Sequence, residues 1–136
     1  MNIVILGCGR VGAQLAGILD KAGHAVSVID SSSDAFQRLS SDFGGATHIG
    51  NGVDEDVLGR AGIRQADVFI AVTNGDNRNI MASQIAKELF KVKKVVCRIY
   101  DPIREETYRE MGLETFCPTK IGAQMIFDAI MDRKQI

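Results

Sequence analysis

The stretch GCGRVG, which begins at Gly7, carries the three glycines of a G-x-G-x-x-G motif directly after the apolar run Ile3–Leu6. Between a strand and a helix, Gly7 permits a tight turn, Gly9 lets the backbone approach a pyrophosphate, and Gly12 lets the helix press on the sheet. The helix amides then face the phosphates, and the Arg10 guanidinium suits phosphate oxygens. The motif therefore predicts a phosphate-binding loop. A glycine turn without a ligand, and a solvated surface charge at Arg10, are the alternatives.

An acidic residue, Asp30, lies eighteen residues beyond Gly12, at the end of the next apolar run, Ala25–Ile29. A carboxylate at this position accepts hydrogen bonds from both hydroxyls of an adenosine ribose, whereas a 2′-phosphate would meet its negative charge. The three residues after Asp30 are all serine, so no adjacent lysine or arginine offsets that charge. The residues favour NAD, or another adenine nucleotide with an unphosphorylated ribose, over NADP.

The remaining residues that could do chemistry are scattered. Cys8, Cys97 and Cys117 form no C-x-x-C pair, which argues against a disulfide framework and a zinc site. Cys8 lies inside the glycine loop, where it is interpreted as a packing residue, with a redox role as the alternative. His24 and His48 are isolated, and the chain contains neither H-E-x-x-H nor G-x-S-x-G. The sequence therefore favours ligand binding without catalysis.

Composition excludes several other classes. A chain of 136 residues with 46% hydrophobic residues, 24% charged residues and a net charge of -1 is typical of one soluble domain. The absence of a basic excess argues against broad nucleic-acid binding. The apolar runs are far shorter than the roughly 18 to 20 residues that cross a bilayer, so direct membrane insertion is not expected. The N-terminus reads as a strand instead of a signal peptide, and we expect a cytoplasmic location.

The elements that must position these residues follow from hydrophobic periodicity. Helical spacing of apolar residues separates the strand candidates, with a stop signal at Gly23 after the first helix. The second helix is predicted from Ser33 or a neighbouring serine through Leu39, and a short third helix from an Asp54 cap through Ala61. A fourth helix is predicted from the spacing of Ala82, Ile85, Ala86 and Leu89, and a fifth over Ile103–Met111. Such alternation predicts a Rossmann-like α/β fold, a doubly wound parallel six-stranded sheet with helices on both faces. The six strand candidates are Ile3–Leu6, Ala25–Ile29, Ala46–Ile49, Val68–Val72, Val95–Ile99 and Glu114–Cys117.

Six stretches carry a family resemblance through essentially the whole chain: GCGRVG, VID ending at Asp30, HIGNG from His48, AVTNGDNRNI from Ala71, VVCRIYDP from Val95 and MGLETFCPT from Met111. Together they resemble the N-terminal domain of regulators of potassium conductance, the nucleotide-binding module of TrkA and KtrA type potassium-uptake subunits. The resemblance implies a regulatory subunit without catalytic activity. Its expected ligands are NAD or NADH, or alternatively ATP, ADP or AMP. Its expected partner is a membrane potassium transporter or channel, which would hold it at the inner face of the membrane.

The resemblance also assigns roles to individual residues. The glycine loop would hold the phosphates, Asp30 the ribose, and Asn51 with Gly52 the adenine edge. Arg98 would face the second phosphate or ribose, and Asn51 departs from the aspartate that the family usually carries. Ligands of open α/β sheets bind outside the carboxyl ends of the strands, where these residues fall. The complete expected set is Gly7, Cys8, Gly9, Arg10, Val11, Gly12, Asp30, Ser31, Asn51, Gly52, Thr73, Asn74 and Arg98.

Two residues after the fourth strand, Asp76 and Asn79, are compatible with a ligand role or with plain helix capping. The chain is interpreted as a single nucleotide-binding domain over 1–136, with the sheet core in 1–117 and a terminal interface helix in 118–136. Regulators of this type often append a further domain, and both a single-module subunit and part of a longer subunit remain open.

The last helix leaves only Gln124 and Asp128 polar over more than two turns from Ile121 to Met131. A surface helix should show one apolar stripe, so this helix is expected to be covered on both sides. In the family the corresponding helix crosses to a neighbouring subunit, which implies a homodimer or a higher ring. An unusually buried core helix is the alternative.

Two other functions share the predicted cleft. One is an NAD-dependent oxidoreductase fragment that works with a separate subunit. The other is a redox or nucleotide sensor that acts on a partner other than a channel. Both require the same glycine loop and the carboxylate of Asp30, and they differ from a transport regulator in what the bound nucleotide does.

Overall fold

Six strands form one sheet in the computed structural model, which describes residues 1–133. Their bounds are β1 Asn2–Leu6, β2 Ala25–Asp30, β3 Ala46–Ile49, β4 Val68–Ala71, β5 Lys94–Arg98 and β6 Glu114–Phe116. All adjacent pairs are parallel, and the order across the sheet is β3-β2-β1-β4-β5-β6. The predicted doubly wound six-stranded sheet is therefore confirmed.

Five α-helices lie between or after the strands: α1 Arg10–Lys21, α2 Glu55–Arg60, α3 Asp76–Gln84, α4 Pro102–Glu110 and α5 Pro118–Ile130. From β1, near the middle of the sheet, the chain continues through α1 to β2 and β3 at one edge. It then returns to β4, beside β1, and continues to β5 and β6 at the other edge. The strand order thus reverses between β1 and β4, and a crevice opens outside their carboxyl ends.

The sheet is buried on both faces, as expected of parallel strands. Alternate residues of β1 point to opposite sides, so Ile3 and Ile5 join one apolar cluster while Val4 and Leu6 join the other. The first cluster packs against α1 through Ala16, and the second takes side chains from α2 and α3. The two clusters hold the ends of β1 and β4 in fixed register beneath the crevice.

The second predicted helix is a 3-10 helix, Ser33–Arg38. Its N-cap residue is Ser32, which makes no side-chain capping bond, so the predicted serine cap is wrong. The backbone N–H of Ser32 donates to the Asp30 carboxylate over 2.9 Å, and the chain therefore turns immediately after β2. By contrast, the predicted Asp54 cap is confirmed, because its side chain accepts a hydrogen bond from the N–H of Asp56.

The fourth predicted helix consists of two parts. The α-helical part, α3, continues into a π turn over Ile85–Leu89, and the Phe90 N–H donates to the Ile85 carbonyl. Lys91 then adopts a positive φ of 57°, and Val92 enters the core with 6% of its surface exposed. The wider turn brings this segment back to the sheet at the start of β5.

Helix α5 lies on the surface, and none of the residues Pro118–Ile130 is buried. The alternative of a buried core helix is therefore wrong, and within residues 1–133 the domain does not cover both sides of α5. The predicted interface segment extends to residue 136, and its positions 134–136 lie outside the described residues. Within residues 1–133, no helix combines the length and the apolar character that crossing a membrane requires.

Candidate functional site

The crevice at the carboxyl ends of β1 and β4 is a cleft of about 1180 Å³. Its volume lies somewhat above the roughly 300 to 1,000 Å³ of typical small-molecule sites, so the cleft has room for a nucleotide. Every residue expected from the sequence to contact a nucleotide lines this cleft, except Gly12. The structure therefore brings together residues from five strand ends that are far apart in the chain, while Gly12 lies behind the loop.

The three glycines of the loop have three different environments. Gly7 has a φ of 111°, and a Cβ there would lie 2.9 Å from backbone atoms of Val72 and Thr73. A Cβ on Gly12 would lie only 1.8 Å from the carbonyl oxygen of Gly7, so α1 can approach the loop only with glycine at this position. A Cβ on Gly9 would meet nothing within 4 Å, because this residue faces the open cleft.

The first turn of α1 presents a positive electrostatic end to the cleft. Gly9 is its N-cap and provides no side-chain cap, and the first turn contains no acidic residue. The first backbone N–H groups of a helix lack intrahelical acceptors, and the helix dipole adds partial positive charge there. This arrangement suits a phosphate group.

The Asp30 carboxylate supports the loop from the neighbouring strand. One oxygen accepts a hydrogen bond from the Cys8 N–H over 2.8 Å, and the other accepts from the Ser32 N–H over 2.9 Å. Because an ionised carboxylate has about four acceptor positions, each oxygen can still accept a bond from a ribose hydroxyl. Asp30 thus organises the loop that it borders.

The Cys8 side chain points away from solvent, and the residue is fully buried. Burial raises the pKa of its thiol, and the negative charge of Asp30 raises it further, while Arg38 acts in the opposite direction. A neutral thiol is a poor nucleophile. These features support the interpretation of Cys8 as a packing residue.

The loop after β3 forms another wall of the cleft. Asn51 accepts a hydrogen bond from the Val53 N–H through Oδ1 over 3.1 Å, which leaves its amide nitrogen as the available donor. A Cβ on Gly52 would lie 2.3 Å from the Leu6 side chain, so this residue packs directly on β1. The Gly50 N–H donates to the Asp30 carbonyl and fixes the loop beside β2.

The far wall begins at Thr73 and is held by a buried amide. The Oδ1 of Asn79 accepts from the Thr73 N–H over 2.9 Å and from its hydroxyl over 2.6 Å. The Nδ2 of Asn79 donates to the carbonyls of Thr73 and Arg98, at 2.9 and 3.0 Å. Asn79 is fully buried, so its side chain fixes two strand ends instead of contacting solvent or capping its own helix.

Asp76 has a similar role one turn earlier. Its carboxylate accepts hydrogen bonds from the N–H groups of Tyr100 and Asp101, at 2.8 and 3.1 Å. The N-cap of α3 is Gly75, which has no side chain with which to cap. The side chain of Asp76 therefore joins the start of α3 to the chain after β5.

Arg98 lines the cleft but makes its hydrogen bonds inside the protein. Its Nη2 donates to the carbonyls of Val72 and Thr73, both at 2.6 Å, and its guanidinium lies 4.7 Å from the centre of the Tyr100 ring. Only 7% of the residue is exposed, and burial lowers the pKa of its guanidinium. Its Nε is buried without a hydrogen-bond partner among the described residues. Arg98 thus crosslinks β4 to β5, a contribution that the sequence does not predict.

Two arginines that line the cleft were not predicted from the sequence. Arg38 projects from the 3-10 helix after β2, and its Nη1 donates to the Cys8 carbonyl over 3.5 Å. Arg78 lines the opposite wall from the first turns of α3. With Arg10 and Arg98 they give the lining four arginines, against the two aspartates Asp30 and Asp34, so cationic side chains predominate. A single arginine in each helical segment carries no distinctive sequence signal.

Comparison with known proteins identifies the family of this arrangement. A family model described as the TrkA-N domain matches residues 3–118. The Trk system potassium uptake protein TrkA of Streptomyces coelicolor is 46% identical over 131 residues, which cover 96% of this chain and 59% of that protein. A TrkA homologue from Methanothermobacter thermautotrophicus is 32% identical over the whole chain and 62% of its own length. The chain thus spans about three fifths of these relatives.

Solved structures with the same fold have lower identity. The Kef CTD of Shewanella denitrificans in an AMP-bound form has a TM-score of 0.83 at 20% identity and covers 97% of this chain and 80% of its own. GsuK bound to ADP has a TM-score of 0.78 at 23% identity, covering 93% and 33% of the two chains. The GsuK channel bound to NAD has a TM-score of 0.70 at 20% identity, covering 86% and 21%. These likenesses confirm the fold.

Proposed function

The chain belongs to the TrkA-N domain family, and we propose that it is a nucleotide-binding regulatory unit of a membrane potassium transporter or channel. Its ligand is NAD or NADH, or alternatively ATP, ADP or AMP. It acts in the cytoplasm, where the transporter subunit holds it against the inner face of the membrane. The bound nucleotide is a regulatory signal and is not turned over.

The geometry of the Gly9 and Asp30 edge of the cleft supports this proposal most directly. The open approach at Gly9 admits a pyrophosphate to the first turn of α1, and the Asp30 carboxylate is positioned beside that loop for a ribose. Solved relatives in fold are described as bound to AMP, ADP and NAD, which are ligands that share an adenosine ribose and a 5′-phosphate.

We assign the ligand contacts by position along the cleft. The loop residues from Gly7 to Val11 hold the phosphates, and Asp30 with Ser31 holds the adenosine ribose. Asn51 and Gly52 border the adenine, and the Asn51 amide donates to an acceptor on its edge. Thr73, Asn74 and Arg78 then face the second half of a dinucleotide, with Arg98 beneath them.

Assembly follows from the exposed apolar face of α5. The most exposed large apolar side chains of this helix and its C-cap residue are Ile126, Ile130 and Met131, which are 64%, 72% and 53% exposed. Contiguous apolar surface of this kind marks an interaction site. We propose that α5 packs against a second copy of the chain, so that the regulatory unit is a homodimer or a ring of dimers.

The direct test is calorimetric titration of the purified chain with NAD, NADH, ATP, ADP and AMP. We expect saturable binding to one site per chain, with affinities that differ among the nucleotides. A ligand regulates only if its affinity differs between two states of the protein, so potassium flux of the reconstituted transporter should respond to the same nucleotides. A chain that binds none of the five, or that oxidises NADH in turnover, would contradict the proposal.

A further inference from the structure

The start of α5 is tied to the chain after β5 by hydrogen bonds to one carbonyl group. The Thr119 hydroxyl donates to the Tyr100 carbonyl over 2.9 Å, and the Cys117 thiol donates to the same oxygen over 3.4 Å. Thr119 lies in the first turn of α5, one residue after Pro118. The position of Tyr100 therefore determines where α5 begins.

The same short segment reaches into the cleft. Two residues before Tyr100, the Arg98 guanidinium holds the carbonyls of Val72 and Thr73 at the end of β4. The Tyr100 ring stacks on that guanidinium and itself lines the cleft. Residues 98–100 thus contact the cleft wall at one end and α5 at the other.

A polar contact adds to these bonds in the first turn of α5. The Lys120 ammonium donates to the buried Glu105 carboxylate over 2.8 Å, and none of the residues Pro118–Ile130 is buried. Because α5 buries no side chain in its own domain, the polar bonds of its first turn are contacts that set its position relative to the sheet. We therefore expect a shift of that first turn to move the helix with it.

Resting on the proposed function, we propose that residues 98–100 couple the cleft to α5. A nucleotide that contacts the Thr73 wall fixes the two carbonyls that Arg98 holds. Because the Tyr100 ring stacks on Arg98 and the Tyr100 carbonyl accepts a hydrogen bond from Thr119, the same contact also fixes the first turn of α5. Arg98 acts here as a positioning residue, and the hydrogen bond of the Thr119 hydroxyl links Tyr100 to the first turn of α5.

The test compares Thr119→Val with Thr107→Val in the full chain. Each change replaces a hydroxyl that donates to a backbone carbonyl, but the Thr107 bond to Ile103 lies within α4, away from the cleft. Hydrogen exchange of the amides at residues 121–124, the first that bond within α5, is measured with and without NAD or AMP at about 100 times Kd. Calorimetry of the same samples gives the nucleotide affinity.

We expect nucleotide to slow exchange at these amides by up to about 100-fold in the wild type and in Thr107→Val, because opening of α5 must then release the ligand. In Thr119→Val the affinity should stay within about two-fold of wild type while most of the slowing is lost. Two outcomes would overturn the coupling but not the proposed function. One is full slowing of exchange in Thr119→Val, and the other is no slowing in a wild type that binds nucleotide. Absence of nucleotide binding by the wild type would refute the proposed function as well.

Discussion

The carboxylate of Asp30 accepts a hydrogen bond from the backbone N–H of Cys8, at 2.8 Å, across the gap between β2 and the glycine loop. One side chain therefore fixes the shape of the loop and also borders the place proposed for the ribose. An aspartate at this strand end therefore supports the fold of the loop and, in the proposed function, ligand recognition, so its replacement should affect both.

The Asp30→Ala variant should bind NAD and AMP about 10 to 100 times more weakly than wild type. Hydrogen bonds to a charged group contribute about 1.5 to 3 kcal/mol, and both ligands present the same adenosine ribose. Isothermal titration calorimetry measures the change. Asp34→Ala is the matched control, since Asp34 lines the cleft without a hydrogen bond to the loop. Equal affinities of Asp30→Ala and wild type would mean that the ribose lies elsewhere.

Alanine substitutions at two glycines should show which of them is needed for stability and which for nucleotide binding. Gly12→Ala places a methyl group 1.8 Å from the Gly7 carbonyl oxygen and should lower the free energy of unfolding by about 3 kcal/mol or more. Gly9→Ala meets no atom within 4 Å, so its unfolding free energy should stay within about 1 kcal/mol of wild type. Its nucleotide affinity should nevertheless fall, because the methyl group occupies the pyrophosphate approach.

Urea unfolding and calorimetry on the two glycine variants provide the measurements. A Gly9→Ala chain that folds normally and binds normally would contradict the assignment of the phosphate site. A Gly12→Ala chain of wild-type stability would contradict the close approach of α1 to the loop.

An acidic residue on the apolar face of α5 should dissociate the proposed dimer. Ile126→Asp places a charge in a surface that is to be buried, and we expect the dimer to weaken by at least about 10-fold. The monomer should keep its stability, because Ile126 is 64% exposed within its own chain. Sedimentation equilibrium tests this, with Ile18→Asp on α1 as the control, since Ile18 is 60% exposed. Loss of the dimer in both variants, or in neither, would argue against α5 as the interface.

The buried Glu105 carboxylate should make stability depend on pH. Two hydrogen bonds hold the pKa of Glu105 below its usual value of 4.5. The bond from the Lys120 ammonium has the larger effect, and the bond from the Thr115 hydroxyl adds to it. A carboxyl whose pKa is lower in the folded state than in the unfolded state stabilises the folded protein. This contribution is complete above the unfolded pKa and is lost as the pH falls through the folded pKa. The wild type should therefore exceed Glu105→Gln in unfolding free energy at pH 7, and the difference should shrink below about pH 4.5.

Urea unfolding at a series of pH values provides this measurement. Glu106→Gln is the control, because the Glu106 side chain is 62% exposed and lies 3.9 Å from the Lys120 ammonium. Its curve should run parallel to that of wild type. A constant difference between wild type and Glu105→Gln across the acidic range would show that Glu105 does not titrate as described.

The elements around the cleft could be predicted because their signals are local. The spacing from Gly7 to Gly12, the apolar run before it and the position of Asp30 each depend on neighbours in sequence. Such signals locate strand ends, and the topology of a parallel sheet then brings those ends together. The six strands and the position of the cleft consequently followed from the sequence.

The contacts inside the cleft could not be predicted in the same way. Whether Arg98 points toward a ligand or toward the carbonyls of Val72 and Thr73 depends on distances between strands, which sequence spacing does not contain. The same holds for Asn79, which fixes two strand ends from within α3. Capping preferences also do not reveal that the segment after Asp30 is a 3-10 helix, or that the Asp30 carboxylate accepts a hydrogen bond from the Ser32 N–H.

The surface position of α5 has a consequence for how such chains diversify. Since the residues of α5 beyond its first turn are not buried in their own domain, substitutions there should leave the sheet and the glycine loop unperturbed. Natural selection can therefore remodel the outer part of the helix to match a new assembly while the residues that line the cleft are retained. For protein engineering, the same independence makes that part of α5 a segment in which a new interface can be designed on an unchanged sheet.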